Sequence, residues 1–410
     1  MTKSINILLL VLTAISTQKS FARPEYAALT HIVNCAVCHV NPYGSGARTV
    51  YGKLYGSRDF RPNWASKQEI VSLDVRGQDY YYQPVSPTNT QSKGVMIMNV
   101  IPTVNLPLAP SLDEPALGNL VLSYNFAAVG QGLREAYYLN RFAPTSETAW
   151  ISAMLVGNFM APFGLLTDEH RTYTHQMVAM TNREFESGLL VTGDPTYKMH
   201  YDLAISSGFA NGGLGTDSHP DSWGVFANFR HQIRNLPLQV GLSYAIEGTS
   251  AANYPLTAGS LYGVFAWDQY APKFKGNIQT EIVAARGWNN SSYTTAAGDG
   301  IGNFVPSTAT NWLGAIQDST ALGFASLANW DLTPHWTIQL KYEQFIPEMN
   351  YQGDSFYRTG GGFKYAVNAN VNLLARYDHG YVNRPGLSST DLTSIKAIGD
   401  TYFALLHIWL

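Results

Sequence analysis

Residues 238 to 248 read LQVGLSYAIEG, and apolar side chains take every second place in this stretch. The apolar set is Leu238, Val240, Leu242, Tyr244 and Ile246. The residues between them are polar or small, namely Gln239, Gly241, Ser243, Ala245 and Glu247. Because successive side chains of a β-strand point to opposite faces, this alternation predicts a strand with one apolar and one polar face.

The same period of two recurs along the chain and predicts sixteen strands. They lie near residues 69–82, 93–106, 118–128, 133–143, 148–158, 183–194, 197–209, 222–233, 237–248, 260–271, 273–287, 319–331, 335–346, 356–367, 370–380 and 400–410. Short connections such as 194–195 alternate with long ones such as 159–182 and 288–318. This pattern is typical of a transmembrane antiparallel β-barrel of the bacterial outer membrane. We therefore predict an all-β, porin-like barrel over residues 69–410.

The composition agrees with a barrel in a membrane. Only 13% of the 410 residues are charged, while the chain contains 25 Tyr, 18 Phe and 9 Trp. The two-residue repeat also occurs in soluble β-sandwiches and β-propellers. Those folds would bury their apolar faces in a core and would not need aromatic residues on their outer faces. The net charge of -3 gives no basic surface for nucleic acid. No apolar run reaches the roughly 18 residues that a membrane helix needs.

Residues 1–22 are predicted to be a secretory signal peptide. Lys3 precedes an apolar run over 5–15, and the small-x-small sequence at 20–22 provides a cleavage site after Ala22. The mature chain is therefore expected to leave the cytoplasm for a compartment in which cysteines usually form disulfides.

Both cysteines of the chain lie in the run CAVCH at 35–39. A C-x-x-C pair fits a redox disulfide, half of a zinc site or a haem attachment. His39 completes C-x-x-C-H, in which two thioethers hold a haem and the histidine is the proximal iron ligand. No further zinc ligands have a suitable spacing, and a structural disulfide beside an unrelated histidine is the alternative. We expect Cys35 and Cys38 to attach one haem c covalently and His39 to bind its iron.

Residues 23–68 form the predicted helical haem segment. Three of its basic residues, Arg48, Lys53 and Arg58, either hold the haem propionates or belong to a solvated basic face. The segment is too short to build a complete cytochrome core. We expect it to start on the periplasmic side, where the short turns lie, and to be sheltered in the lumen or at its mouth.

His200 and His407 are the candidates for the distal iron ligand. Both fall on the polar face of their strands, near ends that carry short turns, and each also fits an ordinary polar position on a pore wall. Two loop sequences that combine acids with histidine, TDEHR at 167–171 and TDSHPDS at 216–222, are either contact sites for ferrous iron or solvated loop residues.

The run RPEYAALTHIVNCAVCHVNP, followed by YGKLYG, is similar to one family of bacterial proteins. Together with the signal peptide and the predicted barrel, it resembles the fused monohaem cytochrome-porins of outer membranes, best known from iron-oxidising species. The likeness lies in a proline and an aromatic-alanine pair before C-x-x-C-H and a proline and an aromatic-glycine pair after it. For Cys35, Cys38 and His39 the resemblance implies haem attachment and proximal ligation.

Two functions are open at this point. The resemblance implies electron transfer of the iron(II):cytochrome c oxidoreductase type, between an extracellular donor or acceptor and a periplasmic carrier such as a soluble cytochrome. The alternative is a diffusion porin whose haem segment is a plug or a sensor. Outer-membrane lipid surrounds the protein in either case. The sequence presents no Ser-His-Asp or paired-carboxylate arrangement that would support hydrolytic or transferase chemistry.

Overall fold

The computed structural model describes residues 70–84, 92–108, 118–127, 132–142, 148–165, 167, 172–178, 185–209, 223–248, 255–267, 270, 275–287, 320–346, 349, 355–367, 371–383 and 399–409. Within these ranges lie sixteen strands and one helical turn. They are β1 (Val71–Pro84), β2 (Ser92–Pro107), β3 (Gly118–Asn125), β4 (Gly132–Arg141), β5 (Ala149–Met160), α1 (Tyr173–Gln176), β6 (Phe185–Thr196), β7 (Met199–Phe209), β8 (Trp223–Gln232), β9 (Leu238–Gly248), β10 (Leu256–Ala266), β11 (Gly276–Arg286), β12 (Thr320–Asp331), β13 (Trp336–Ile346), β14 (Ser355–Ala366), β15 (Val371–Asn383) and β16 (Gly399–Trp409).

The strands form one closed antiparallel barrel. Each strand pairs with its neighbours along the chain, and β1 pairs with β16 to complete the ring. This closing pair runs without a break from Asp74 opposite Trp409 to Pro84 opposite Gly399. Closure gives every strand two partners and leaves no open sheet edge. The prediction of a sixteen-stranded antiparallel barrel is confirmed.

The alternation in β9 shows how the pattern in the sequence becomes two barrel faces. Leu242 and Tyr244 expose 59% and 49% of their surface, whereas Ser243 and Glu247 expose 1% and 4%. The apolar side chains therefore point away from the barrel axis and the polar ones point into the lumen. A soluble protein would show the opposite arrangement.

The structure corrects several predicted boundaries, including those of the tenth strand and of the turn at 194–195. The tenth strand was expected over 260–271 but spans Leu256–Ala266, and Tyr270 lies beyond its end, where its ring stacks on that of Phe265 with centroids 6.2 Å apart. The turn expected at 194–195 is formed instead by residues 197 and 198, and Pro195 lies inside β6. A register shift between Gly193 and Thr196 accommodates that proline, which cannot donate a ladder hydrogen bond.

The longest connections join strand ends on one rim of the barrel, and they are residues 161–184, 287–319 and 384–398. The opposite rim carries short turns such as 197–198 and 332–335. The first of these long connections contains α1, which lies against β11, β12 and β13 on the far side of the ring. No helix within the described ranges is long and apolar enough to cross a membrane.

Candidate functional site

The connection between β5 and β6, residues 161–184, enters the lumen, and we call it the inward loop. Its described parts are 161–165, 167 and 172–178. The backbone N–H of Gly164 donates a 2.9 Å hydrogen bond to Ser243 Oγ on β9. The backbone N–H of Leu165 donates one of 2.9 Å to Glu281 Oε1 on β11. Because β9 and β11 lie several strands away from β5 around the ring, the loop crosses the pore instead of staying at its rim.

Glu281 is the residue to which most of the loop is attached. Its Oε1 also accepts a 2.7 Å hydrogen bond from Ser260 Oγ on the neighbouring strand β10. Its Oε2 accepts one of 2.8 Å from Thr174 Oγ1 and lies 3.0 Å from His175 Nε2. Only 3% of Glu281 is exposed, so these bonds are shielded from water. One buried carboxylate thus holds two segments of the inward loop.

The position of Gly164 shows how tightly the loop meets the wall. Its φ of +67° lies in the left-handed region, which favours glycine. A Cβ at this position would lie 2.3 Å from Glu281 Oε1 and 3.0 Å from the His175 ring. A side chain at residue 164 would therefore require the Glu281 carboxylate to shift and residue 164 to keep an unfavourable backbone conformation.

Glu343 on β13 forms the second attachment. Its Oε1 accepts a 3.0 Å hydrogen bond from the backbone N–H of Tyr173. Its Oε2 contacts both Lys341 Nζ and Arg358 Nε. The Arg358 guanidinium also lies 4.4 Å from the centre of the Tyr173 ring, a cation-π contact. Burial raises the pKa of the Tyr173 hydroxyl above its ordinary value, so it stays protonated.

A cluster of buried apolar side chains on the inner wall packs against the other side of the inward loop. Phe163, Tyr173 and Met177 of the loop belong to one buried cluster with inward side chains of the strands. The wall contributes Leu155, Leu190, Phe226, Val283, Phe345 and Phe356 among others. The inner wall of an outer-membrane channel is usually polar. Here its apolar part packs against the loop, which is therefore a fixed part of the lumen.

Ionised side chains line the lumen in two groups of opposite excess charge. On β4 to β11 the inward acids are Glu135, Glu186, Asp194, Asp202, Glu247 and Glu281, and the inward arginines are Arg141 and Arg230. On β13 to β16 and β1 the inward cations are Arg76, Lys341, Arg358, Lys364 and Arg376, and the acids are Asp74, Glu343 and Asp378. Among the described residues, one side of the wall is therefore acidic and the other basic.

His200 is enclosed on the inner wall by two carboxylates. Its Nδ1 lies 2.7 Å from Asp194 Oδ1 and its Nε2 lies 2.8 Å from Asp202 Oδ1. Arg230 in turn binds Asp202 at 3.0 Å. Both ring nitrogens are thus engaged, and an iron ligand at His200 would require one of these bonds to break.

His407 lies on β16 at the closing pair of the barrel. Its Nε2 is 3.0 Å from Asp74 Oδ2 and accepts a 3.1 Å hydrogen bond from Arg76 Nε. The ring order places β7 and β16 seven strand positions apart, so the structure does not bring His200 and His407 together.

The remaining candidate residues lie outside the described ranges. They are Cys35, Cys38, His39, Arg48, Lys53 and Arg58 of the haem segment, together with the acid and histidine sequences at 168–171 and 216–222. The assignments made to them stay predictions. In the part of the chain that is described, no group of three or more His, Cys, Asp or Glu side chains is arranged to hold a metal ion.

Comparison with solved structures identifies the architecture. The outer-membrane channel DcaP of Acinetobacter baumannii superimposes with a TM-score of 0.53 at 9% identity, covering 85% of this chain and 99% of that one. The fold is that of the outer-membrane porins. An anion-selective porin from Comamonas acidovorans matches with a TM-score of 0.53 at 8% identity, covering 83% of this chain and 98% of that one.

OmpF of Salmonella typhi, solved with daunomycin, has a TM-score of 0.53 at 11% identity and covers 84% of this chain and 98% of its own. No protein-family model matches the sequence, and no curated protein matches it either. At these identities the porins establish the porin-like fold of this chain and nothing about its solutes.

The inward course of residues 161–184 was not predicted from the sequence, which indicated only a long loop. A signal was nevertheless present, because Phe163, Leu165, Met177 and Val178 are apolar residues in a connection between strands. Apolar residues are unusual in a loop that lies in water, and in this loop they pack on the inner wall.

Proposed function

We propose that this protein is an outer-membrane channel for the diffusion of small hydrophilic solutes, and that the inward loop sets the size of the solutes that pass. The observation that carries the proposal is the attachment of the loop to the opposite wall, through Ser243, Glu281 and Glu343. A loop attached to one side would leave the pore wide. A loop bound on both sides narrows the path to the space beside it.

The inner wall supports an aqueous path of restricted width. It carries ionised and amide side chains on strands all around the ring, as a channel for polar solutes requires. At the same time Asn105, Asn119 and Asn125 on β2 and β3 are fully buried, although they face the lumen. A wide, water-filled pore would leave such side chains exposed, so this burial favours a narrow channel.

The test is single-channel conductance in planar lipid bilayers. We expect the wild-type protein to show small, ohmic conductance steps in 1 M salt. The variant Glu281→Ala removes the acceptor of Leu165, Thr174 and His175, and we expect its conductance to rise and to fluctuate as the loop detaches.

The matched control is Glu135→Ala, which removes a buried inward carboxylate on β4 that accepts a hydrogen bond from Ser123 Oγ. Its conductance should remain close to that of the wild type. An absence of conductance steps in both the wild type and Glu281→Ala would contradict the diffusion function. An equal change in both variants would contradict the role of the loop.

A second candidate function rests on the C-x-x-C-H sequence. We propose that Cys35 and Cys38 attach one haem c, with His39 as its proximal iron ligand, on a periplasmic segment that serves as a plug or as an electron conduit. The two thiols and the imidazole are the donor set that such a group needs. A bound haem supplies one-electron transfer, with a periplasmic carrier on one side and an extracellular donor, ferrous iron among the candidates, on the other.

The described wall residues fit this group only in part. His200 cannot bind iron while Asp194 and Asp202 engage both of its ring nitrogens. His407 has its Nε2 engaged by Asp74 and Arg76. The assignment of His200 or His407 as the distal ligand therefore stays a prediction, and it requires these bonds to rearrange or His407 Nδ1 to bind the iron.

The haem hypothesis is tested by producing the protein together with a c-type maturation system. We expect a covalent haem absorption band that is lost in Cys35→Ser/Cys38→Ser. A conduit predicts rapid haem reduction in liposomes when ferrous iron is added outside, whereas a plug predicts no reduction but a larger bilayer conductance in the double variant. A wild-type protein with no covalent haem would contradict both versions and leave the diffusion proposal intact.

A further inference from the structure

Two buried glutamates lie close together on the inner wall, near the rim that carries the long connections. Glu186 is the second residue of β6, directly after the inward loop, and Glu247 is the tenth of the eleven residues of β9. The two side chains expose 1% and 4% of their surface. Their carboxylates are close enough to repel each other. Two groups that carry the same charge when ionised therefore share a place that is shielded from water.

The strand register places a hydroxyl beside this pair. Glu247 is opposite Gly224 of β8, and Gly224 is opposite Ser206 of β7. All three residues have the inward parity of their strands. Ser206 Oγ lies 2.7 Å from the position that a Cβ of Gly224 would occupy. Because β8 has no side chain at this point, the hydroxyl of Ser206 extends over β8 in the direction of β9.

Two polar atoms of this group are buried without a partner. Within the described ranges, Glu247 Oε1 and Ser206 Oγ accept and donate no hydrogen bond, and Glu247 forms no ion pair. Buried polar groups are normally satisfied, and a buried carboxylate that lacks a counter-charge is costly. A bound group that is positive and is attracted to oxygen atoms would satisfy both atoms at once.

The side chains around the pair do not provide that positive charge. Ala204, Phe226 and Ala245, which follow along the same inward faces, belong to the buried apolar cluster of the wall. Arg134 of β4 lies over the ring of Phe185, 5.4 Å from its centre, and Phe185 has the opposite parity to Glu186. Apolar surroundings strengthen the repulsion between the carboxylates, because they lower the local dielectric constant.

The donor atoms indicate the class of ligand. Carboxylate and hydroxyl oxygens are hard donors, which Ca²⁺ and Mg²⁺ prefer, and neither sulfur nor imidazole is present among these three side chains to favour zinc or copper. A divalent ion would neutralise two carboxylates, whereas a monovalent ion would leave one charge buried. The charge and the donor set therefore both favour a hard divalent cation.

We propose that Glu186, Ser206 and Glu247 bind one Ca²⁺ or Mg²⁺ ion, with water molecules completing its coordination. The ion joins β6 to β9 across the two strands between them, and it stabilises the wall where the inward loop returns to the barrel. This role is independent of the solute that the channel passes and of the haem hypothesis. The competing explanation is a proton shared by the two carboxylates, which would neutralise only one of them.

The first experiment is calorimetric titration of the refolded full-length barrel in detergent with CaCl₂ or MgCl₂, after treatment with a chelator. We expect one ion to bind per chain. Glu247→Gln, which has nearly the same shape, should raise the dissociation constant at least about tenfold, because it removes a charged ligand. Ser206→Ala should raise it by a smaller factor. Folding of every variant is checked by the heat-dependent mobility of the barrel on a gel.

Two matched variants serve as controls. Glu135→Gln changes a buried inward carboxylate on β4 that accepts a hydrogen bond from Ser123. Ser207→Ala removes the neighbouring hydroxyl, which donates to the backbone carbonyl of Ser187 instead. Both variants should bind the ion like the wild type. A wild type without saturable binding, or an equal loss of affinity in Glu135→Gln and Glu247→Gln, would overturn the proposal.

The second experiment separates a bound ion from a shared proton. An ion that binds only the folded barrel should raise the midpoint of denaturant unfolding of the wild type and leave that of Glu247→Gln unchanged. With a chelator present, Glu247→Gln should be at least as stable as the wild type, because it removes one of two repelling charges. Equal midpoints of the wild type with ion and with chelator would overturn the proposal in favour of the shared proton, and the diffusion function would stand.

Discussion

The backbone N–H of Leu165 and the carboxylate of Glu281 are joined by a 2.9 Å hydrogen bond, although the two residues are 116 positions apart in the chain. This contact links the inward loop to the wall on the other side of the pore. Because Glu281 also accepts from Ser260 and Thr174, its two oxygens hold two strands and two loop segments together. One buried carboxylate therefore holds two segments of the inward loop, beside the second attachment at Glu343.

Replacement of Gly164 should destabilise the loop and its attachment. In Gly164→Ala the new Cβ would meet Glu281 Oε1 at 2.3 Å, and the backbone at φ +67° would be strained. We expect a loss of about 1–3 kcal/mol in the free energy of unfolding, measured by denaturant titration in lipid vesicles. Gly259→Ala is the control, because its Cβ would have nothing nearer than 3.9 Å. Equal stability of the two variants would contradict the close approach at Gly164.

Removal of the Thr174 hydroxyl should loosen the loop. Thr174→Val keeps the side-chain shape but leaves Glu281 Oε2 without its 2.8 Å donor, which should reduce stability by about 1–3 kcal/mol. Brief openings to a higher conductance should also appear in bilayer recordings. Thr174→Ser keeps the hydroxyl and should behave like the wild type. Identical recordings from the valine and serine variants would show that this bond does not hold the loop.

Replacement of His200 should destabilise the barrel wall. His200→Ala leaves Asp194 and Asp202 buried without the imidazole that lies between them, which should reduce stability by about 3 kcal/mol. His231→Ala, on the outward face of β8, is the control and should change stability little. If His200→Ala instead altered the haem absorption spectrum at unchanged stability, His200 would be an iron ligand, contrary to its two carboxylate bonds.

The closing pair of strands should loosen when Asp74 is replaced. Asp74→Ala removes the acceptor of Arg76 and the partner of His407, and it leaves two basic groups adjacent. Backbone amides of β1 and β16 should exchange hydrogen about tenfold faster, as expected for a loss of 1–2 kcal/mol of hydrogen bonding. Gln78→Ala, four residues beyond Asp74 on the same inward face of β1, should leave these rates unchanged. Uniformly faster exchange around the ring would instead indicate a general loss of stability.

Much of the fold could be predicted from the sequence because the pattern of a strand is local. In β9 the alternation of Leu242 with Ser243 depends only on the two-residue repeat of an extended backbone, and the same is true of the other strands. An even number of such strands with alternating turn lengths then implies a closed barrel. Two strand boundaries were predicted wrongly because local signals compete there. Pro195 was interpreted as part of a turn but lies within β6, and Tyr270 was interpreted as part of the tenth strand but lies beyond its end.

The sequence by itself therefore determined the barrel, the face that each strand residue occupies and the haem hypothesis at Cys35, Cys38 and His39. Only the tertiary structure decided that the described part of the inward loop reaches Glu281 across the lumen and that Asp194 and Asp202 engage both nitrogens of His200. These relationships depend on the order and register of strands around a closed ring, which bring together residues far apart in the chain and leave no periodic pattern in it.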